Sequence, residues 1–174
     1  ERSLERLGLD RVDIYMLHSF DTSVPLEETI EALTSMVAEG RTRSVGASNF
    51  SAAQLAAALA ISKARGLSRF EVTEPIYNLV ERGIETELLP FTRSHNIGVV
   101  SYSPLGAGFL AGKYMPDRAA IPAGSRFGIK PGHANIYFKP EHFAILERLR
   151  EKAALTGIPM VRLAMSWALS NPDV

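Results

Sequence analysis

The chain contains no cysteine, which excludes disulfides, thiolate metal sites and cysteine nucleophiles and fits a cytoplasmic protein. It has no charge of one sign in excess: 19 basic residues face 19 acidic ones. No long-range field therefore draws it to nucleic acid or to an anionic membrane. No stretch approaches the ~18 uninterrupted apolar residues of a membrane span, and the start does not read as a signal peptide. The Ala-rich run from Ala52 to Ile61 is too short and holds Gln54. The four histidines, His18, His95, His133 and His142, lack the spacing of a helical zinc pair, so no metal is expected. A G-x-S-x-G nucleophile elbow is also missing.

What is present is 174 residues with 46% hydrophobic content, a size and composition that suit one globular domain. Short β-branched runs alternate with helical stretches. The strands are expected at Val12–Leu17, Thr42–Ser48, Phe70–Pro75 and Ile97–Tyr102. Gly8 can end a helical tail before the first of them. Between the first two, Leu26, Ile30, Leu33 and Val37 share a helix face, with Pro25 suited to the first turn and Gly40 to the C-cap. Ser51 is a candidate N-cap for a helix ending at Gly66, and further helices are expected at Glu85–His95, Pro140–Thr156 and Pro159–Ser170. The order β-α-β-α-β-α-β predicts an α/β fold with a parallel sheet. Ser103 to Lys139 has no periodicity and reads as a long loop.

Ligands in parallel α/β folds gather at the C-terminal ends of strands. There the sequence has His18, Ser19 and Asp21, then Ser48 and Asn49, then Glu74, Tyr77 and Asn78, then Tyr102 and Ser103. Each has a bland explanation as a cap or a packed residue; their joint placement points to a site. Gly106, Gly108 and Ala111 imitate a dinucleotide fingerprint only superficially, because Pro104 intervenes and no acid-tipped strand follows at the required distance. Neither is the loop a Walker motif, since Ala107 and Tyr114 occupy required positions. Flexible backbone amides beside Lys113 remain a reasonable phosphate cradle, against the alternative of a mobile surface loop. Arg126 is available as a further phosphate partner.

These residues carry a pattern that resembles the aldo-keto reductases, in particular those grouped with potassium-channel β subunits and related bacterial reductases. The strongest pieces are Leu4-Glu5-Arg6-Leu7-Gly8 with Asp13-Ile14-Tyr15-Met16-Leu17-His18, and Gly40-Arg41 with Val45-Gly46-Ala47-Ser48-Asn49-Phe50. Tyr77-Asn78-Leu79, Tyr102-Ser103-Pro104-Leu105 with Gly108, Gly112, Lys113 and Tyr114, and Ala164 to Leu169 extend the match. The resemblance implies a partial TIM (β/α)8 barrel of about four central parallel strands with their helices, residues 1–174 forming part of an NADP-dependent oxidoreductase domain. It implies NADPH as cofactor, with NADH also open, and a small aldehyde or ketone as substrate. His18 matches the histidine that orients the carbonyl. Ser48 and Asn49 match the residues that hold the carboxamide, and Tyr102 the aromatic that stacks on the nicotinamide. Ser103, Leu105 and Lys113 match contacts on the pyrophosphate side, and Arg126 an arginine of the cofactor-covering loop. Homo-oligomerisation is left open.

Two departures from the family pattern stand out. Glu74 replaces a common glutamine, and an ionised carboxylate accepts hydrogen bonds but cannot donate one. Burying it beside a cofactor is costly unless it is paired or protonated, so altered cofactor contact or a local cation is expected there. The family's catalytic tyrosine, lysine and aspartate also have no counterpart, nor does its last strand. A (β/α) barrel needs about 250 residues; with Glu1 in place of Met, the chain is expected to be a central segment, inactive in isolation. The alternatives are a non-catalytic, cofactor-binding regulator like the channel β subunits and an inactive gene fragment.

Overall fold

The computed structural model describes residues 2–174, which divide into two compact units. The first holds residues 2–75, 84–100 and 173. Its elements are α1 (Arg2–Leu7), β1 (Val12–Leu17), α2 (Leu26–Ala38), β2 (Thr42–Ser48), α3 (Ala52–Arg65), β3 (Phe70–Glu74), α4 (Leu88–His95) and β4 (Gly98–Val99). The strands pair in parallel in the order β1-β2-β3-β4. This is the arrangement of a partial (β/α) barrel, with β1 and β4 at the sheet edges.

Local chemistry explains the boundaries. Gly40, at φ 72°, closes α2 with bonds from Gly40 N to Val37 O and from Arg41 N to Met36 O, the paired closure that a left-handed residue permits. Pro25 precedes α2 and does not enter its first turn. Ser51 and Gln54 form a reciprocal capping box on α3: Gln54 N donates to Ser51 Oγ at 3.2 Å and Ser51 N to Gln54 Oε1 at 2.9 Å. Ile30 and Leu33 of α2, Leu55 and Ala58 of α3, Val45 and Ala47 of β2 and Phe70 of β3 form the core. Gly46 is required by close approach, because a β-carbon there would lie 2.5 Å from Val72 O.

Two elements are shorter than the sequence predicts. The helix expected from Glu85 begins at Leu88. Pro90 has no N–H and clashes with the preceding turn inside a helix, but it is tolerated in the first turn, where the late start puts it. The strand expected over Ile97–Tyr102 spans only Gly98–Val99; Tyr102 reappears as an isolated bridge to Ile76. Pro75, just before Ile76, can donate no ladder hydrogen bond.

The second unit holds residues 76–83, 101–172 and 174. The segment expected to be a loop is in fact ordered. It contains 3-10 turns at Gly106–Ala111, Arg118–Ala120 and Pro131–His133, and the short helices α5 (Arg126–Ile129) and α6 (Ala134–Tyr137). They lead into α7 (Pro140–Thr156) and α8 (Met160–Leu169). Phe109, Tyr114, Phe127 and Tyr137 are buried with Leu146 and Leu149 of α7 and Ala164 of α8. Tyr114 and Phe127 stack at 4.3 Å, and Phe127 and Tyr137 at 5.7 Å. Large rings bury enough surface to hold irregular backbone without helical or strand periodicity. Among the described residues no helix is long and apolar enough to cross a membrane.

Candidate active site

In the first unit, the ends of β1, β2 and β3 are joined through Ser48 and Asn49. Asn49 follows β2 in the left-handed region, φ 59°, a conformation that asparagine tolerates better than most residues. Its Nδ2 donates to His18 O at 2.9 Å and to Ser48 Oγ at 3.0 Å. Ser48 Oγ in turn donates to Glu74 O at 2.8 Å, and Asn49 N donates to the same oxygen at 3.2 Å. His18, Ser48, Asn49 and Glu74 thus share one network at the C-terminal rim of the sheet. The donors of the Asn49 amide and of the Ser48 hydroxyl are committed within it.

Ser48 is buried, Glu74 half-buried, and His18 and Asn49 exposed. The half-buried Glu74 keeps part of its hydration, which lessens the desolvation cost that a fully buried carboxylate would carry. Asp21, the carboxylate nearest His18 in sequence, turns instead to Ser23. Its Oδ1 accepts from Ser23 Oγ at 2.6 Å and from Ser23 N at 2.8 Å. These two bonds, the side-chain one foremost, hold its carboxyl below the usual range despite some opposing desolvation.

In the second unit, Tyr102 is half-buried; its carbonyl accepts from Tyr77 N at 3.3 Å. Ser103 is left-handed, φ 55°, a strain of about 1–3 kcal/mol for a residue other than glycine. Ala107, Gly106, Gly108 and Gly112 also have positive φ, so the loop coils tightly. Lys113 lies alongside it: a β-carbon on Gly108 would sit 3.7 Å from Lys113 Nζ. The Lys113 ammonium also lies 5.5 Å from the Tyr114 ring centroid. Leu105 packs against the aromatic core. Arg126 opens α5, exposed, with its Nε donating to His133 Nδ1 at 3.4 Å.

Asn78 and Tyr137 are absent from the site residues assigned by resemblance. Asn78 is fully buried, and its Nδ2 donates to Ser103 O at 3.0 Å. Burial raises the Tyr137 hydroxyl to about 12, against the lowering influence of nearby Asn78 and Ser103. A polar Asn in an apolar stretch after Pro75 is a weak sequence signal; Tyr137, in an aperiodic segment, carries none. No group of three or more His, Asp or Glu is placed to hold a metal among the described residues.

Residues 1–174 match the profile of the aldo/keto reductase family. The chain belongs to that family. Among its relatives is a protein of Arabidopsis thaliana named as a probable voltage-gated potassium channel subunit beta, 35% identical over 99% of this chain and 53% of its own length. An aldo-keto reductase of Pseudocercospora fijiensis is 30% identical over 95% of this chain and 57% of its own length. Human aldo-keto reductase family 7 member A3 is 33% identical over 96% of this chain and 53% of its own length. This aldo/keto reductase chain therefore spans about half the length of these curated relatives.

Proposed function

We propose that the chain is the central portion of a nicotinamide-dependent reductase of aldehydes or ketones, with NADPH as the preferred cofactor. The observation that carries this reading is the Asn49 network, which ties His18, Ser48 and Glu74 into one rim in a chain of the aldo/keto reductase family. A bound nicotinamide supplies hydride to the carbonyl carbon. His18, in its neutral form, donates a hydrogen bond to the carbonyl oxygen as negative charge grows there, stabilising the transition state more than the ground state. Because Asn49 holds the His18 carbonyl, the strand end that presents the imidazole is fixed before substrate arrives.

The donor chemistry of the residues fits the cofactor. With the Ser48 and Asn49 donors engaged within the rim, the Glu74 carboxylate is the acceptor this reading assigns to the NH2 of a carboxamide. Glu74 adds acceptor capacity and no donor. Within the second unit, the family resemblance assigns Tyr102 to the nicotinamide ring and Ser103 and Lys113 to the phosphates, where the coiled loop offers backbone amides. Leu105 would hold that loop against its core, and Arg126 would close over the nucleotide.

The test is reduction of a panel of aldehydes and ketones by the full-length protein, followed by NADPH oxidation at 340 nm. Turnover that falls at least tenfold in His18→Ala supports the reading. The similarity to a named channel subunit favours a second reading, a cofactor-binding regulator; tight NADPH binding without turnover of any carbonyl would select it.

A further inference from the structure

Ser103 adopts a left-handed conformation, φ 55°, without being glycine, and such a residue persists only where its surroundings over-determine it. Its carbonyl oxygen accepts from Gly106 N at 2.8 Å and from Asn78 Nδ2 at 3.0 Å. Beside it lies the Tyr137 hydroxyl, whose pKa is influenced by Asn78 and the Ser103 side chain. Asn78 Oδ1 accepts from Val80 N and Glu81 N, both at 3.0 Å. Both ends of the amide are therefore engaged: its oxygen by the backbone that follows, its nitrogen by the Ser103 carbonyl. Rotating it would leave buried polar atoms unpaired.

The other side of the clamp is equally constrained. Tyr137 is 1% exposed and lies between the rings of Phe109, at 5.8 Å, and Phe127, at 5.7 Å. A β-carbon on Gly106 would come within 3.0 Å of Tyr137 Cε1, so the loop after Ser103 is seated directly on this ring.

We propose that Asn78 and Tyr137 are positioning residues for the cofactor: together they clamp Ser103 in its left-handed turn and so set the direction of the amide-lined loop that receives the phosphates. This rests on the nicotinamide-nucleotide reading above. Neither residue acts on the ligand directly; both act through Ser103 and the Gly106 amide. A role in folding alone would lower stability and leave cofactor affinity intact. The clamp predicts lost cofactor affinity for Tyr137→Phe, which keeps the ring and its stacking and removes only the hydroxyl.

The experiment uses the full-length protein as wild type, Tyr137→Phe and Asn78→Ser. NADPH affinity is measured by fluorescence titration, stability by thermal unfolding, and release of the turn by hydrogen exchange at the Gly106 amide without cofactor. Tyr137→Phe is expected to raise the NADPH Kd about tenfold, the scale of one buried polar contact, and to speed exchange at Gly106, with the unfolding midpoint lowered by a few degrees at most. Asn78→Ser is expected to raise the Kd further. Wild-type affinity in Tyr137→Phe overturns the inference, whatever its stability. If the wild type itself binds no nicotinamide nucleotide, the cofactor reading falls and this inference falls with it; a wild type that binds while both variants match it sinks the clamp alone.

Discussion

The Asn49 side-chain amide reaches from the end of β2 to the backbone carbonyl of His18 at the end of β1, 2.9 Å away, while its own backbone is left-handed. One residue thus makes the crossing between neighbouring strand ends and bends the chain away from the sheet. Asn49→Ala removes both side-chain bonds and puts a less tolerant residue at positive φ. A loss of about 2–3 kcal/mol is expected, read from urea unfolding of the full-length protein with an unchanged slope. Asn49→Gly, which relieves the backbone but not the lost bonds, should fall between alanine and wild type.

His18 sits exposed at the rim with its backbone held by that bond. If it stabilises the developing charge on the carbonyl oxygen, His18→Ala should lower kcat about 10²–10³-fold, the effect of removing one such donor. The NADPH Kd should change little. A variant that kept wild-type kcat would remove His18 from the chemistry.

Glu74 offers its backbone carbonyl to Ser48 and Asn49, and its carboxylate adds acceptors and no donor to the rim. Glu74→Gln introduces a donor for the carboxamide oxygen. NADPH should bind about three- to tenfold more tightly, as expected for one net hydrogen bond, measured by fluorescence quenching. Unchanged affinity would mean that residue 74 does not meet the cofactor.

Tyr137 has its phenol raised from 10.0 to about 12, chiefly by burial, with the negative charge of Glu81 adding to the effect and nearby Asn78 and Ser103 opposing it. A group whose pKa is raised by folding contributes stability that is complete below its unfolded value and lost as pH rises through its folded one. Stability should therefore fall as pH climbs from about 10 to about 12. In Tyr137→Phe that part of the decline should be missing. Tyrosinate absorbance at 295 nm, followed beside unfolding curves, checks both halves; a Tyr137 that ionised near the ordinary value of about 10 would contradict the expectation.

Much of the first unit was legible in the sequence because its signals are local. The run Val12–Leu17, the Ser51–Gln54 cap, and Gly40 and Gly66 at helix ends act through neighbours within a few residues, and the structure realises each of them. Pro90 carried an equally local signal that the expected Glu85 start overlooked, and the helix begins where proline can be accommodated. The second unit was far less legible. Phe109, Tyr114, Phe127 and Tyr137 come together from an aperiodic segment, and no spacing rule reports which rings will meet.

By itself the sequence determined the parallel α/β order, the family and the candidate residues at the strand ends, because these depend on hydrophobic periodicity, caps and short motifs read along the chain. Only the tertiary structure decided that Asn49 joins three strand ends and that buried Asn78 bonds the carbonyl of Ser103. Most of these contacts link residues more than twenty positions apart. Their geometry is set by the register of paired strands and by ring packing, and neither leaves a periodic trace in the order of residues.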